Sequence, residues 1–187
     1  CVTDRCATCI ANWGSGAVLI QVGTITSDSS LYSVGNYGSG PLIISGGSIS
    51  NSNVEAIYSQ GSGEINISGA AKISSDNYCG IKNSDSAAIN ISGGEVIGKE
   101  YGIFNSYGAI EISDGTVSAI GTDGTAIYSY DNVVDISGGT VEGAIGIWSY
   151  GRIIVSGDAL IKGTNSCGIL SFNSSRDIDS PAVEISN

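Results

Sequence analysis

One short phrase recurs along this chain and restricts its fold more than any other feature. An apolar residue, any residue and a second apolar residue are followed by Ser and usually Gly: Leu42-Ile43-Ile44-Ser45-Gly46, Ile65-Asn66-Ile67-Ser68-Gly69, Ile89-Asn90-Ile91-Ser92-Gly93, Ile110-Glu111-Ile112-Ser113, Val134-Asp135-Ile136-Ser137-Gly138, Ile153-Ile154-Val155-Ser156-Gly157 and Val183-Glu184-Ile185-Ser186. Successive Ser residues are 23, 24, 21, 24, 19 and 30 positions apart. A period near 23 is too short for a propeller blade or a helical-pair repeat, and it suits one turn of a three-sided parallel β-helix.

Two further columns keep the same period. Ile10, Val34, Ile57, Ile81, Ile103, Ile127, Ile147 and Ile169 each precede Asn or Ser by two positions, and Val2, Ile25, Ile49, Ile73, Val96, Val117, Val141 and Ile161 form the third set. Three apolar columns per repeat predict three strands per turn and about eight turns of roughly 22–24 residues across residues 1–187. Side chains alternate faces along a strand, so both apolar positions of each Ile-x-Ile point inward and the residue between them outward. Like residues then stack on like as turns pile up along the axis. The pairs Gly46-Gly47, Gly93-Gly94 and Gly138-Gly139 fall where the chain must turn between strands, which is a structural role. Residues 172–181 interrupt the period and predict a projecting loop carrying Arg176, Asp177 and Asp179. Apolar columns occupied close to both ends lead us to expect a slice of a longer protein, since solenoid ends need covering units.

Composition removes several functions. The chain has no His, so Ser-His-Asp triads, Cys-His dyads and His-ligated metals are excluded. With 7 Lys and Arg against 18 Asp and Glu, the net charge is −11. That charge opposes nucleic-acid binding and attraction to anionic membranes. No cofactor or metal is expected. Cys79 and Cys167 sit four repeats apart, about 19 Å, which is too far for a disulfide between them; a bridge among Cys1, Cys6 and Cys9 would leave an odd thiol.

Phrases such as Ile136-Ser137-Gly138-Gly139-Thr140-Val141, followed by Gly146-Ile147-Trp148-Ser149, resemble repeats of large secreted surface proteins of Gram-positive gut bacteria, within the pectate-lyase-like right-handed parallel β-helix group. The resemblance spans nearly the whole chain and implies a right-handed coil and an extracellular or cell-surface location. It implies function only loosely, because one fold hosts enzymes, adhesins and stalks. The enzymes of that group use clustered acids with a His or a basic residue. Here the acids are scattered, the nearest groupings being Asp177 with Asp179 and Asp131 with Asp135.

The outward positions beside the Asn/Ser column carry the candidate binding residues. One line runs Tyr58, Lys82, Phe104, Tyr128, Trp148, Leu170, and its neighbour runs Trp13, Tyr37, Gln60, Ser84, Ser106, Tyr130, Tyr150, Phe172. Tyr128, Tyr130, Trp148, Tyr150 and Phe172 are expected to gather on one side as a ligand-binding aromatic face. Exposed apolar patches mark contact surfaces, and flat rings suit sugars or protein partners; mutual stacking that stabilises the strands is the competing explanation. The expected function is a non-catalytic rigid stalk or adhesin surface that contacts a glycan or a host or cell-surface protein, joined to flanking domains of a longer chain and without membrane insertion. A carbohydrate-active enzyme and a self-assembling structural protein are the alternatives.

Overall fold

The computed structural model describes residues 8–172 and 182–186. Every regular element among them is a β-strand, and the strands pair in parallel, each with its counterpart one turn away. The chain is a three-sided β-solenoid. Its first face has eight strands, from Ile10–Asn12 through Thr125–Ser129 and Ile145–Ser149 to Ile169–Ser171, and its second has eight, from Val18–Ile20 to Val183–Ile185. The third face has seven, beginning with Thr24–Ser27 and ending with Leu160–Gly163.

About seven complete turns are therefore described, one fewer than the spacing predicts. Val2, which would supply the first strand of the third face, lies outside the described residues, as do all but Phe172 of the loop expected at 172–181, with its Arg176, Asp177 and Asp179. The second and third faces are also less separate than expected. Ile89–Gly98 and Ile110–Ala119 each run unbroken around the corner between them, with a register shift between Ser92 and Glu95, so both faces join one 13-stranded sheet. At this corner Gly47 and Gly139 have φ of 78° and 75°, a conformation that L side chains rarely adopt.

The registers match the apolar columns. Ile57, Ile81, Ile103, Ile127 and Ile147 lie opposite one another on the first face, and Ile65, Ile89, Ile110, Val134 and Ile153 do so on the second. All ten are fully buried. Each such side chain contributes roughly 1.5–3 kcal/mol by burial, so the core is a narrow continuous column whose strength is spread evenly along the axis.

The Asn/Ser column closes the corner after the first face. Asn36, Ser59, Asn83, Asn105, Ser129 and Ser149 are buried. Asn36 Nδ2 donates to Gly40 O at 3.0 Å and Asn83 Nδ2 to Ala87 O at 2.7 Å, each closing its own turn. The amides also link turns: Asn12 Nδ2 donates to Asn36 Oδ1 at 3.1 Å, and Asn83 Nδ2 to Asn105 Oδ1 at 2.9 Å. Ser59 interrupts this ladder, since its hydroxyl is too short to bridge, and both Ser59 Oγ and Asn83 Oδ1 are left buried without a partner. The neighbouring turns hold Asn at the same spacing from the corner, so Ser59→Asn should fit and let the introduced amide donate to Asn83 Oδ1. We expect a gain of about 1 kcal/mol, seen as a rise in melting temperature of a few degrees; a lower melting temperature would show that the corner has no room.

Candidate functional site

The first face carries the candidate site because the residue between its two inward positions must point outward. Pairing aligns Ala11, Gly35, Tyr58, Lys82, Phe104, Tyr128, Trp148 and Leu170 in one outward line. Residues just beyond the strands form the adjoining line. The five predicted contact residues come together: Tyr128 lies 6.1 Å from Tyr130, 5.7 Å from Trp148 and 6.3 Å from Tyr150 between ring centroids. Tyr130 stacks on Tyr150 at 5.3 Å, Tyr150 on Phe172 at 5.3 Å, and Trp148 meets Phe172 at 5.6 Å.

The aromatic face is longer than these five residues. Phe104 stacks on Tyr128 at 5.0 Å, Tyr101 meets both rings edge-on, and Tyr78 meets Tyr101. Toward the other end Tyr32 stacks on Tyr58 at 4.2 Å and Trp13 on Tyr37 at 4.1 Å, with Tyr37 tilted against Tyr58. Gly35 makes the Trp13–Tyr37 stack: a Cβ there would sit 2.6 Å from Tyr37 Cε2, so the missing side chain lets that ring fold back over the strand. Twelve of the thirteen aromatic residues of the chain join this strip; Tyr107, at the adjoining corner, is the other. Over eight stacked strands the strip is about 34 Å long, from seven spacings of about 4.8 Å.

Stacking does not cover the rings. Trp13 is 74% exposed, Tyr130 56%, Phe172 49% and Tyr150 40%, while Tyr58, Phe104, Tyr128 and Trp148 are partly buried beneath and between them. Bracing and contact thus both have a physical basis: an inner row ties turns together, and an outer row faces solvent.

Tyr32, Tyr78 and Tyr101 join the strip without being expected there. Strict alternation would turn Tyr101 inward with Ile103, but the register skips Gly80, Gly102, Ala126 and Gly146, where a small residue is tucked inward and shifts the phase. A Cβ on Gly102 would come within 2.8 Å of Val117 Cγ1. That column of small residues is the sequence signal for the shift.

Midway along the strip Lys82 takes a ring's place. Its ammonium lies 5.4 Å from the Tyr78 centroid and 5.9 Å from those of Tyr58 and Phe104, within cation–π range. It also pairs at 3.0 Å with Glu55 Oε1, whose side chain is only 6% exposed. Burial alone would lower the Lys82 pKa, but the hydrogen bond and charge of Glu55 outweigh it and the value is raised. Among the described residues Lys82 is the one charged side chain in the two outward lines, and its partner Glu55, at the corner beside them, balances it, so the strip is close to neutral on a chain of charge −11.

The tyrosines report on the same packing. Burial, followed by the charge of Tyr150 and a hydrogen bond with it, pushes Tyr128 up to about 12 from 10.0. Tyr32, Tyr37, Tyr78 and Tyr101 are raised too, burial being the largest cause in each. A folded-state pKa above the unfolded value contributes stability that is full below the unfolded pKa and is lost as pH rises through the folded one. Stability should therefore hold up to about pH 9, begin to fall there because the buried Cys79 thiol ionises in the unfolded chain first, and fall more steeply between about pH 10 and 12 as the tyrosines do the same. Thermal melts across that range, read beside tyrosinate absorbance, check this; a decline beginning well below pH 9 would contradict it.

Other places offer less. Glu111 and Asp135 lie opposite each other on the second face, above a trough of about 270 Å³ that Asn90, Ser92 and Ser137 also line, with no Lys or Arg in the lining. Asp131 sits instead at a corner, accepting from Asn132 N at 2.7 Å. No group of three or more His, Cys, Asp or Glu is arranged to hold a metal among the described residues. Cys9, Cys79 and Cys167 are free thiols, and burial pushes Cys79 far up, away from reactivity. Comparison of the chain with protein-family models, with curated proteins and with solved structures finds no match in any of the three.

Proposed function

We propose that this chain is a rigid, non-catalytic segment of an extracellular bacterial surface protein, and that its aromatic strip binds neutral glycans. The observation that carries the reading is the placing of twelve of thirteen aromatic residues on one side of the solenoid, with the outer rings exposed. Exposed apolar area on this scale marks a contact surface. Its neutrality supports a glycan over an acidic or basic macromolecule, because the surrounding charge repels anions and the strip offers no excess charge to attract cations. Flat rings at regular spacing suit the C–H faces of sugars in a chain lying along the axis, and a parallel solenoid holds that spacing rigidly because every turn is bonded to its neighbours. The trough beside Glu111 and Asp135 lacks the basic partner an acid-dependent lyase requires, which supports a non-catalytic role.

The test is retention of the purified chain on insoluble neutral polysaccharides such as cellulose, xylan and mannan, at ionic strengths from about 0.1 to 1 M. Contact through neutral rings is little screened by salt, so retention should persist at the highest salt, with no release of reducing sugar. Retention lost in salt, or absent on every matrix, would contradict the reading.

A further inference from the structure

The corner between the third and first faces changes length from turn to turn, and that variation makes a site. Two residues, Lys99 and Glu100, connect Gly98 to Tyr101; five, 120–124, connect Ala119 to Thr125; a single residue, Ala144, connects Gly143 to Ile145. The five-residue loop therefore stands out between short neighbours, and a notch of about 330 Å³ opens beneath it, lined by Lys99, Glu100, Tyr101, Thr122 and Asp123. The loop is braced on both sides. Gly121 N donates to Lys99 O at 2.8 Å, and Asn165 Nδ2 reaches across the one-residue corner to Thr122 O at 2.9 Å.

Tyr101 forms one wall, and that ring also belongs to the aromatic strip through Phe104 and Tyr128. The notch is thus a side compartment of the strip. Its remaining groups are of the kinds that bind hydroxyls: two carboxylates accept, the Thr122 hydroxyl does both, and the Lys99 ammonium donates while held by Asn77 Oδ1 at 3.2 Å. Two carboxylates outnumber one ammonium, so an anionic ligand is disfavoured. The volume lies at the lower end of small-molecule sites, which suits one sugar unit better than an oligosaccharide. We propose that this notch holds a single neutral sugar branching from a glycan whose main chain lies along the aromatic strip; the proposal rests on the glycan reading above.

The test is a glycan array carrying cello-oligosaccharides and their xylose-branched forms, and manno-oligosaccharides and their galactose-branched forms. It is probed with the wild type, the Thr122→Ala/Asp123→Asn double variant, Glu100→Gln and Tyr150→Ala. The wild type should prefer a branched form over its linear counterpart by about tenfold. Both notch variants should bind the branched form no better than the linear one, and Tyr150→Ala should weaken both forms. Thr122, Asp123 and Glu100 are exposed, so these variants should melt as the wild type does. Equal wild-type binding of linear and branched forms, or a branch preference that survives both notch variants, overturns the notch and leaves the strip standing. No wild-type binding to any glycan, or binding that Tyr150→Ala leaves intact, overturns the strip and the notch with it.

Discussion

Lys82→Met is expected to destabilise the protein by about 3 kcal/mol, a fall in melting temperature of roughly 6–12 °C. The substitution keeps an unbranched apolar side chain among Tyr58, Tyr78 and Phe104, so lost packing is a small part of the effect. What remains is the Glu55 carboxylate, buried and without its ammonium partner. Removing one member of a buried pair costs more than the pair contributes, because the other charge stays desolvated and uncompensated. Lys82 keeps partial contact with water, which places the expected loss at the low end of the usual range. The Glu55→Gln/Lys82→Met double variant should recover most of the loss. Thermal melts of the two single variants and the double variant measure the coupling directly, and a double variant no more stable than Lys82→Met would show that the destabilisation comes from packing.

Tyr128→Ala and Tyr150→Ala should separate the two roles of the strip. Tyr128 touches Tyr101, Phe104, Tyr130, Trp148 and Tyr150. Aromatic pairs contribute about 0.5–1.5 kcal/mol each beyond area burial, and several are lost together, so Tyr128→Ala is expected to cost about 2–3 kcal/mol in stability. Tyr150 is 40% exposed and belongs to the outer row. Its replacement gives up ring contacts with Tyr128, Tyr130 and Phe172 at a solvent-facing position, so it should cost about 1–2 kcal/mol in stability, less than Tyr128→Ala, and weaken glycan binding by about 30-fold, equal to about 2 kcal/mol, as for a central contact residue. Calorimetric titration and melting curves on both variants give the comparison. If Tyr150→Ala loses stability and keeps binding, the strip is a structural brace.

The repeat makes the architecture legible because a solenoid writes its contacts into the period: Ile57, Ile81 and Ile103 recur at the spacing that stacking requires, and they stack. The same alternation puts Tyr128, Tyr130, Trp148, Tyr150 and Phe172 on one side. It fails where the period slips. Small residues at Gly80, Gly102 and Gly146 turn inward and rotate the preceding residue outward, bringing Tyr101 into the strip. Glu55 escapes the pattern for a related reason, since a buried carboxylate at a corner has no mark in the apolar columns, and only its three-dimensional neighbour Lys82 explains it. The notch beneath residues 120–124 depends on one corner being longer than those beside it, a difference that repeat alignment absorbs as irregular spacing.

Whether the aromatic strip is a glycan-contact surface is decided most directly by glycan-array binding of the wild type beside a Tyr130→Ala/Tyr150→Ala variant that melts cooperatively well above the assay temperature. The expected result is specific binding of neutral glycans by the wild type and its loss in the variant. Equal binding by both proteins, or none by either, would contradict a contact role for the strip.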